Sequence, residues 1–113
     1  MVAKKRAKLE KIVLGYVTTK NVREARKIGE ALIDKRLAAC VNIIPNMISV
    51  YRWQGKVEKA SEVILLIKST VNKRNKITDE VKRLHSYTLP CVLFFETKGG
   101  NLDYSQWLNQ ECS

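Results

Sequence analysis

The chain has 113 residues, 45% of them hydrophobic and 28% charged, with a formal net charge of +10 at pH 7. That length holds one domain around one core, and the balance is that of a soluble globular protein. No apolar run approaches the roughly 20 residues that span a bilayer, and the N-terminal stretch lacks the apolar length of a signal peptide, so the expected location is the cytoplasm.

Near the N-terminus Lys4, Lys5, Arg6, Lys8 and Lys11 stand against Glu10 alone. Residues 1–10 are expected as a disordered basic tail ahead of a domain spanning residues 11–113. Such a tail can also meet nucleic acid or acidic lipid. Further basic charge lies between Lys20 and Arg36. Lys and Arg are not interleaved with aromatic residues and no nucleic-acid motif is present, so nucleic acid is not the expected partner.

The run Ile12-Val13-Leu14-Gly15-Tyr16-Val17-Thr18-Thr19 is β-branched and predicts a buried first strand. Asn21 is placed as the N-cap of the next element. From Val22 to Arg36, Val22, Ala25, Ile28, Gly29, Leu32 and Ile33 recur with a helical period, and Arg23, Arg26, Lys27 and Glu30 fall on the other faces. Leu37 to Trp53 and Val57 to Thr70 read as two long strands around a polar turn containing Gly55, which is a hairpin pattern. Runs of about 12 to 14 residues exceed the usual length of about 5 or 6, and at roughly 3.3 Å per residue the hairpin reaches about 40 Å. One small domain cannot cover such an arm, so a partner chain is expected. Pro45 lacks an N–H and predicts a break or bulge that separates an inner half from a projecting half.

From Asn72 to His85 the apolar positions Ile77, Val81 and Leu84 predict a second amphipathic helix, capped by Thr70 or Asn72. Cys91 to Thr97 forms a short fourth strand. Asp103 and Gln106 have the spacing of a capping box for a terminal helix carrying Tyr104, Trp107 and Leu108. The order β-α-β-β-α-β plus a short helix is the α+β, ferredoxin-like pattern, with two helices on one face of an antiparallel sheet. The other face must bury its apolar side chains against something else, which points to oligomerisation.

Three cysteines, Cys40, Cys91 and Cys112, are widely spaced and form no CxxC. Neither a zinc ribbon nor a redox motif is supported. Cys40 and Cys91 sit in apolar runs as small hydrophobes, which fits a reducing compartment.

Six patches, Arg36-Leu37-Ala38-Ala39-Cys40-Val41-Asn42-Ile43, Tyr51-Arg52-Trp53-Gln54-Gly55-Lys56, Glu62-Val63, Ile67-Lys68, His85-Ser86-Tyr87-Thr88-Leu89-Pro90, and Tyr104 with Trp107, occur in the order and spacing of the CutA family of divalent-cation tolerance proteins. The chain resembles that family from about Lys11 to Leu108. The resemblance implies a stable homotrimer of ferredoxin-like subunits whose long hairpins pair between copies. It also implies an architecture similar to the PII signalling proteins, an association with copper and other divalent ions in bacterial members, and with acetylcholinesterase anchoring at membranes in a vertebrate member. No reaction is firmly attached to the family.

The metal candidates follow from residue type. His85 is the only histidine, and imidazole suits copper, nickel or zinc. The family's His-Pro-Tyr-Glu-type motif reads His85-Ser86-Tyr87-Thr88 here, without the proline and the glutamate. The second, adjacent histidine of some metal-associated members is Leu84, and their cysteine near the end of the first strand has no equivalent around Tyr16-Val17. Cys40 is a soft candidate ligand for copper, set against a role as a buried hydrophobe with low thiolate character. A divalent metal such as copper is thus the one cofactor the resemblance suggests. Arg36, Glu62 and Lys68 are charges near apolar runs, costly unless paired. With Tyr51, Trp53, Tyr87 and Trp107 they are expected to line a cleft between subunits, either as ion pairs and packing or as a site for a small anion. No Ser-His-Asp arrangement, phosphate loop or metalloprotease motif is present, so no enzyme activity is expected. The expected function is a divalent-metal-associated trimer, with a PII-like ligand sensor and a protein-interaction scaffold as alternatives.

Overall fold

A computed structural model describes residues 9–113. Most of the expected basic tail, residues 1–8, lies outside the described residues. Glu10 is tied to the far end of the chain: its N–H donates to Asn109 Oδ1 at 2.8 Å, and Asn109 Nδ2 donates to the Glu10 carbonyl at 3.2 Å.

The elements are β1 (Ile12–Thr19), α1 (Val22–Asp34), β2 (Cys40–Trp53), β3 (Lys56–Thr70), a single 3₁₀ turn (Val71–Lys73), α2 (Arg74–Leu84), β4 (Val92–Glu96) and α3 (Leu102–Glu111). The four strands form one sheet in the order β2-β3-β1-β4, with every pairing antiparallel. The class is α+β. No helix among the described residues is long and apolar enough to cross a membrane.

Alternation along the strands selects the core. Val17 of β1 and Val63, Leu65 and Ile67 of β3 are buried in one cluster with Ala25, Ile28 and Leu32 of α1 and Ile77 and Val81 of α2, and Val13 of β1 is fully buried as well. Each fully buried aliphatic side chain contributes about 1.5–3 kcal/mol of transfer free energy. Val41 and Ile43 of β2 pack on the edge of this cluster. Asn21 caps α1 as expected, its Oδ1 accepting the Glu24 N–H at 2.8 Å.

Several boundaries differ from the sequence reading. Helix α1 stops at Asp34, two residues early, because Arg36 adopts a left-handed φ of 57° and Leu37 N–H turns back to the Leu32 carbonyl at 2.9 Å. This αL helix end carries Leu37 and Ala38 into the core, so β2 begins at Cys40 rather than Leu37. Thr70 and Asn72 do not cap α2. The Thr70 hydroxyl donates to the Asn72 side chain, and the chain enters α2 through the 3₁₀ turn. Asn101, not Asp103, caps α3, its Oδ1 accepting the Asp103 N–H at 3.0 Å.

The hairpin closes through Gln54 and Gly55, with φ of 50° and 82°, the positive pair a tight hairpin turn requires. The register of β2 against β3 slips between Ile44 and Met47, where Asn46 sits at φ 66°. This is the expected break at Pro45, and it has the form of a bulge: β2 advances three residues while β3 advances from Ile64 to Glu62. The outer arm makes the molecule long. Its greatest extent is 65 Å and its radius of gyration 16.1 Å, against about 13 Å for a compact chain of this size.

Candidate functional site

A one-residue bulge reverses which side chains face which way. Before it, Cys40, Asn42 and Ile44 pair with Lys68, Leu66 and Ile64 on the sheet face opposite the helices. After it, Met47 pairs with Glu62 and Tyr51 with Glu58, so the odd-numbered residues of the arm share the face of Glu62. Tyr16 of β1, paired with Leu66, lies on the same face, and its hydroxyl reaches Met47 Sδ at 3.5 Å.

The segment after α2 closes over this face from one side. His85 ends the helix, and its ring is fully buried. The Tyr87 N–H donates to His85 Nδ1 at 3.0 Å, which makes Nδ1 the acceptor and leaves Nε2 to donate to the Thr18 carbonyl at 2.8 Å. Both ring nitrogens are therefore in use, and the tautomer is fixed by its neighbours. Glu24 of α1 accepts the Lys20 N–H at 3.2 Å and the Ser86 N–H at 2.9 Å. Burial opposes its charge, but the hydrogen bonds from Ser86 and Lys20 hold its pKa below the ordinary carboxylate value. His85 and Glu24 thus act as an anchor for the 85–91 loop.

Tyr87 follows from that anchor. Its ring lies 4.7 Å from the His85 ring, and its hydroxyl donates to Glu62 Oε2 at 2.9 Å. Burial first, and then the Glu62 carboxylate, push the phenol pKa well up, so it is a firm donor at neutral pH. A cavity of about 820 Å³ opens here, with Tyr16, Met47, Tyr51, Trp53, Glu62 and Tyr87 among its walls. Ser86, Thr88 and Cys91 add polar atoms at its rim. Burial, and then the charge of Glu62, raise the Cys91 thiol pKa, so Cys91 is not an activated nucleophile.

Four of the seven expected cleft residues, Tyr51, Trp53, Glu62 and Tyr87, are brought together in this cavity. The other three are elsewhere. Arg36 holds the C-terminal end, donating from Nε to the Ser113 carbonyl at 3.0 Å and from Nη2 to the Gln110 carbonyl at 2.8 Å. Lys68 lies over the Tyr104 ring, 5.8 Å from its centre, and Tyr104 in turn packs on Trp107 at 5.4 Å. Cys40, half-buried on β2, pairs with Lys68 across the ladder, away from His85. A metal held by His85 would have to displace the bond to Thr18 or the one from Tyr87. Tyr16, Met47 and Cys91 were missed as site residues. Pro45 signalled a break near Met47, but the face Met47 takes follows from the one-residue slip in the pairing.

The model of the CutA1 divalent ion tolerance protein family matches residues 13–111. The chain belongs to this family. It is 43% identical over 102 residues to the divalent-cation tolerance protein CutA of Thermus thermophilus, covering 90% of this chain and 97% of that one. It is 41% identical over 95 residues to human protein CutA, covering 84% of this chain but 53% of the human protein. Among solved structures, CutA1 from Oryza sativa superposes with a TM-score of 0.90 at 37% identity, over 93% of this chain and 96% of that one. The Archaeoglobus fulgidus protein, described as a periplasmic divalent cation tolerance protein, gives 0.88 at 35% identity over 90% and 99%. Such likeness at these identities extends to the hairpin, which is too large a part of the chain to fall outside those coverages.

Proposed function

We propose that this protein works as a homotrimer of ferredoxin-like subunits in divalent-cation tolerance, with copper as the ion and without catalysing a reaction. The assembly rests on the apolar surface that one chain leaves bare. Leu93 and Phe95 on β4 are 54% and 56% exposed, and Ile48, Val50 and Val57 on the arm are 74%, 62% and 61% exposed. The arm carries Ile48, Val50 and Val57 beyond the reach of α1 and α2, and Leu93 and Phe95 lie on the sheet face opposite the helices, so another chain is needed to cover them. Exposed apolar side chains on both β4 and the arm are the mark of interfaces between copies.

The metal role rests on the family. Cys40 offers a soft ligand on the sheet face the helices leave open. The three cysteines are unpaired and widely spaced, which fits a reducing compartment and hence the cytoplasm. Calorimetric titration with copper tests the role. Binding that survives His85→Ala and fails in Cys40→Ala assigns the ion to Cys40, and no binding by the wild-type chain contradicts the copper reading.

The cavity beside Glu62 favours a second reading, that of a PII-like trimer that binds a small ligand. Its volume falls within the range of small-molecule sites, about 300–1,000 Å³, and its walls combine aromatic rings with the hydroxyls of Thr18, Ser49, Ser86 and Thr88 and the Glu62 carboxylate.

A further inference from the structure

Two opposite charges lie on the open side of β3. Alternation along the strand sends Val63, Leu65 and Ile67 into the core beneath the helices and leaves Glu62, Ile64, Leu66 and Lys68 on the other face. Across the ladder that face continues through Leu14 and Tyr16 of β1 and Leu93 and Phe95 of β4. It is thus an apolar surface with a carboxylate at one end of its β3 row and an ammonium at the other.

Neither charge is compensated within one chain. Glu62 is more than nine-tenths buried and accepts one hydrogen bond, from the neutral Tyr87 hydroxyl. Lys68 is half-buried and has the Tyr104 ring 5.8 Å from its Nζ. Among the described residues neither takes part in an ion pair. They cannot reach each other, because six residues of strand at roughly 3.3 Å each hold them about 20 Å apart.

Assembly sharpens this demand. The copy that covers Leu93 and Phe95 covers the same face, and it removes water from Glu62 and Lys68 as well. A charge buried without a partner is strongly unfavourable. Both groups have capacity left for one. Tyr87 occupies Oε2 of Glu62 and leaves Oε1, and an ammonium has three donors. Lys56, the other lysine on this side of β3, stands exposed beside the hairpin turn at Gly55, where its stem can carry the charge to water.

We propose that Glu62 of one copy pairs with Lys68 of the next, so that the Glu62–Tyr87 site is complete only in the trimer. In a closed ring each copy turns its carboxylate to one neighbour and its ammonium to the other, which gives three identical pairs. The proposal rests on the homotrimer reading and names the contact that specifies it.

The test is a double-mutant cycle on the full chain. Glu62→Gln keeps an acceptor for Tyr87, and Lys68→Met keeps the apolar stem. Dissociation of the trimer is followed by light scattering in urea, which leaves ion pairs unscreened. One charge-assisted hydrogen bond is a factor of about tenfold or more, so losing three should raise the dissociation constant of the trimer about a thousandfold. The double variant should be no weaker than the weaker single one, since both remove the same contact. Lys56→Met should add its own effect to that of Glu62→Gln without coupling. Additive effects of Glu62→Gln and Lys68→Met, or coupling of Glu62 to Lys56 instead, overturn the proposal and leave the trimer in place. A wild-type chain that is monomeric overturns both. Where a single variant fails to assemble, the charge-exchanged chain, Glu62→Lys with Lys68→Glu, decides: recovery of the trimer supports the pair, and failure to recover it overturns the pair.

Discussion

Replacing Glu80 by Gln should destabilise the chain at neutral pH and make little difference in strong acid. Glu80 lies on α2 and accepts from Arg83 Nε at 2.9 Å, Arg83 Nη2 at 2.8 Å and Lys35 Nζ at 3.0 Å, so it ties the end of α1 to α2. Arg83 first, and Lys35 second, lower its pKa from 4.5 to about 2 against the opposing effect of burial. A shift of that size corresponds to at most about 3 kcal/mol. Lys35 and Arg83 are 50% and 60% exposed, and solvent screening reduces the expected loss to about 1–2 kcal/mol. The folded-state pKa lies below the unfolded one, so the contribution is complete above about pH 4.5 and disappears as the pH falls through about 2. Urea unfolding of wild type and Glu80→Gln at one fixed protein concentration, from pH 7 down to pH 2, measures the difference. A loss below about 0.3 kcal/mol at pH 7, or a gap that does not narrow in acid, would refute the reasoning.

Gly29→Ala should destabilise despite its better helix propensity. The new Cβ would lie 2.9 Å from Val41 Cγ2 and 3.3 Å from Leu65 Cδ1, and overpacking of about 1–3 kcal/mol outweighs a gain of about 1 kcal/mol. Thermal unfolding checks this, and a higher midpoint contradicts the close approach of α1 to the sheet. Arg36→Lys should speed amide exchange at the C-terminal end of α3 several-fold while changing global stability by less than about 1 kcal/mol. Unchanged exchange there means that the two carbonyl contacts of Arg36 do not hold the helix end.

The strands and helices were legible because their periods were clean: Val13, Val17 and Thr19 on one face of β1, Ala25, Ile28 and Leu32 on one stripe of α1. The end of α1 was not. Nothing marks Arg36 as left-handed, since Gly or Asn usually signals that conformation. The break at Pro45 was legible, but its effect on facing depends on the number of inserted residues, which pairing alone decides. The site was legible in part for the same reason. Tyr51 and Trp53 join Glu62 through that bulge, and Tyr87 joins it through the buried His85. Arg36 and Lys68 carry charges that suggested a cleft, but the turn at Arg36 and the ring of Tyr104 give them other partners.

Assembly through the arm and the open sheet face carries the whole functional reading, and absolute mass by light scattering tests it most directly. One chain is 13.0 kDa. The account predicts a single species of about 39 kDa, three times the 13.0 kDa chain, that persists on dilution to low concentration. A homogeneous 13.0 kDa species would contradict it.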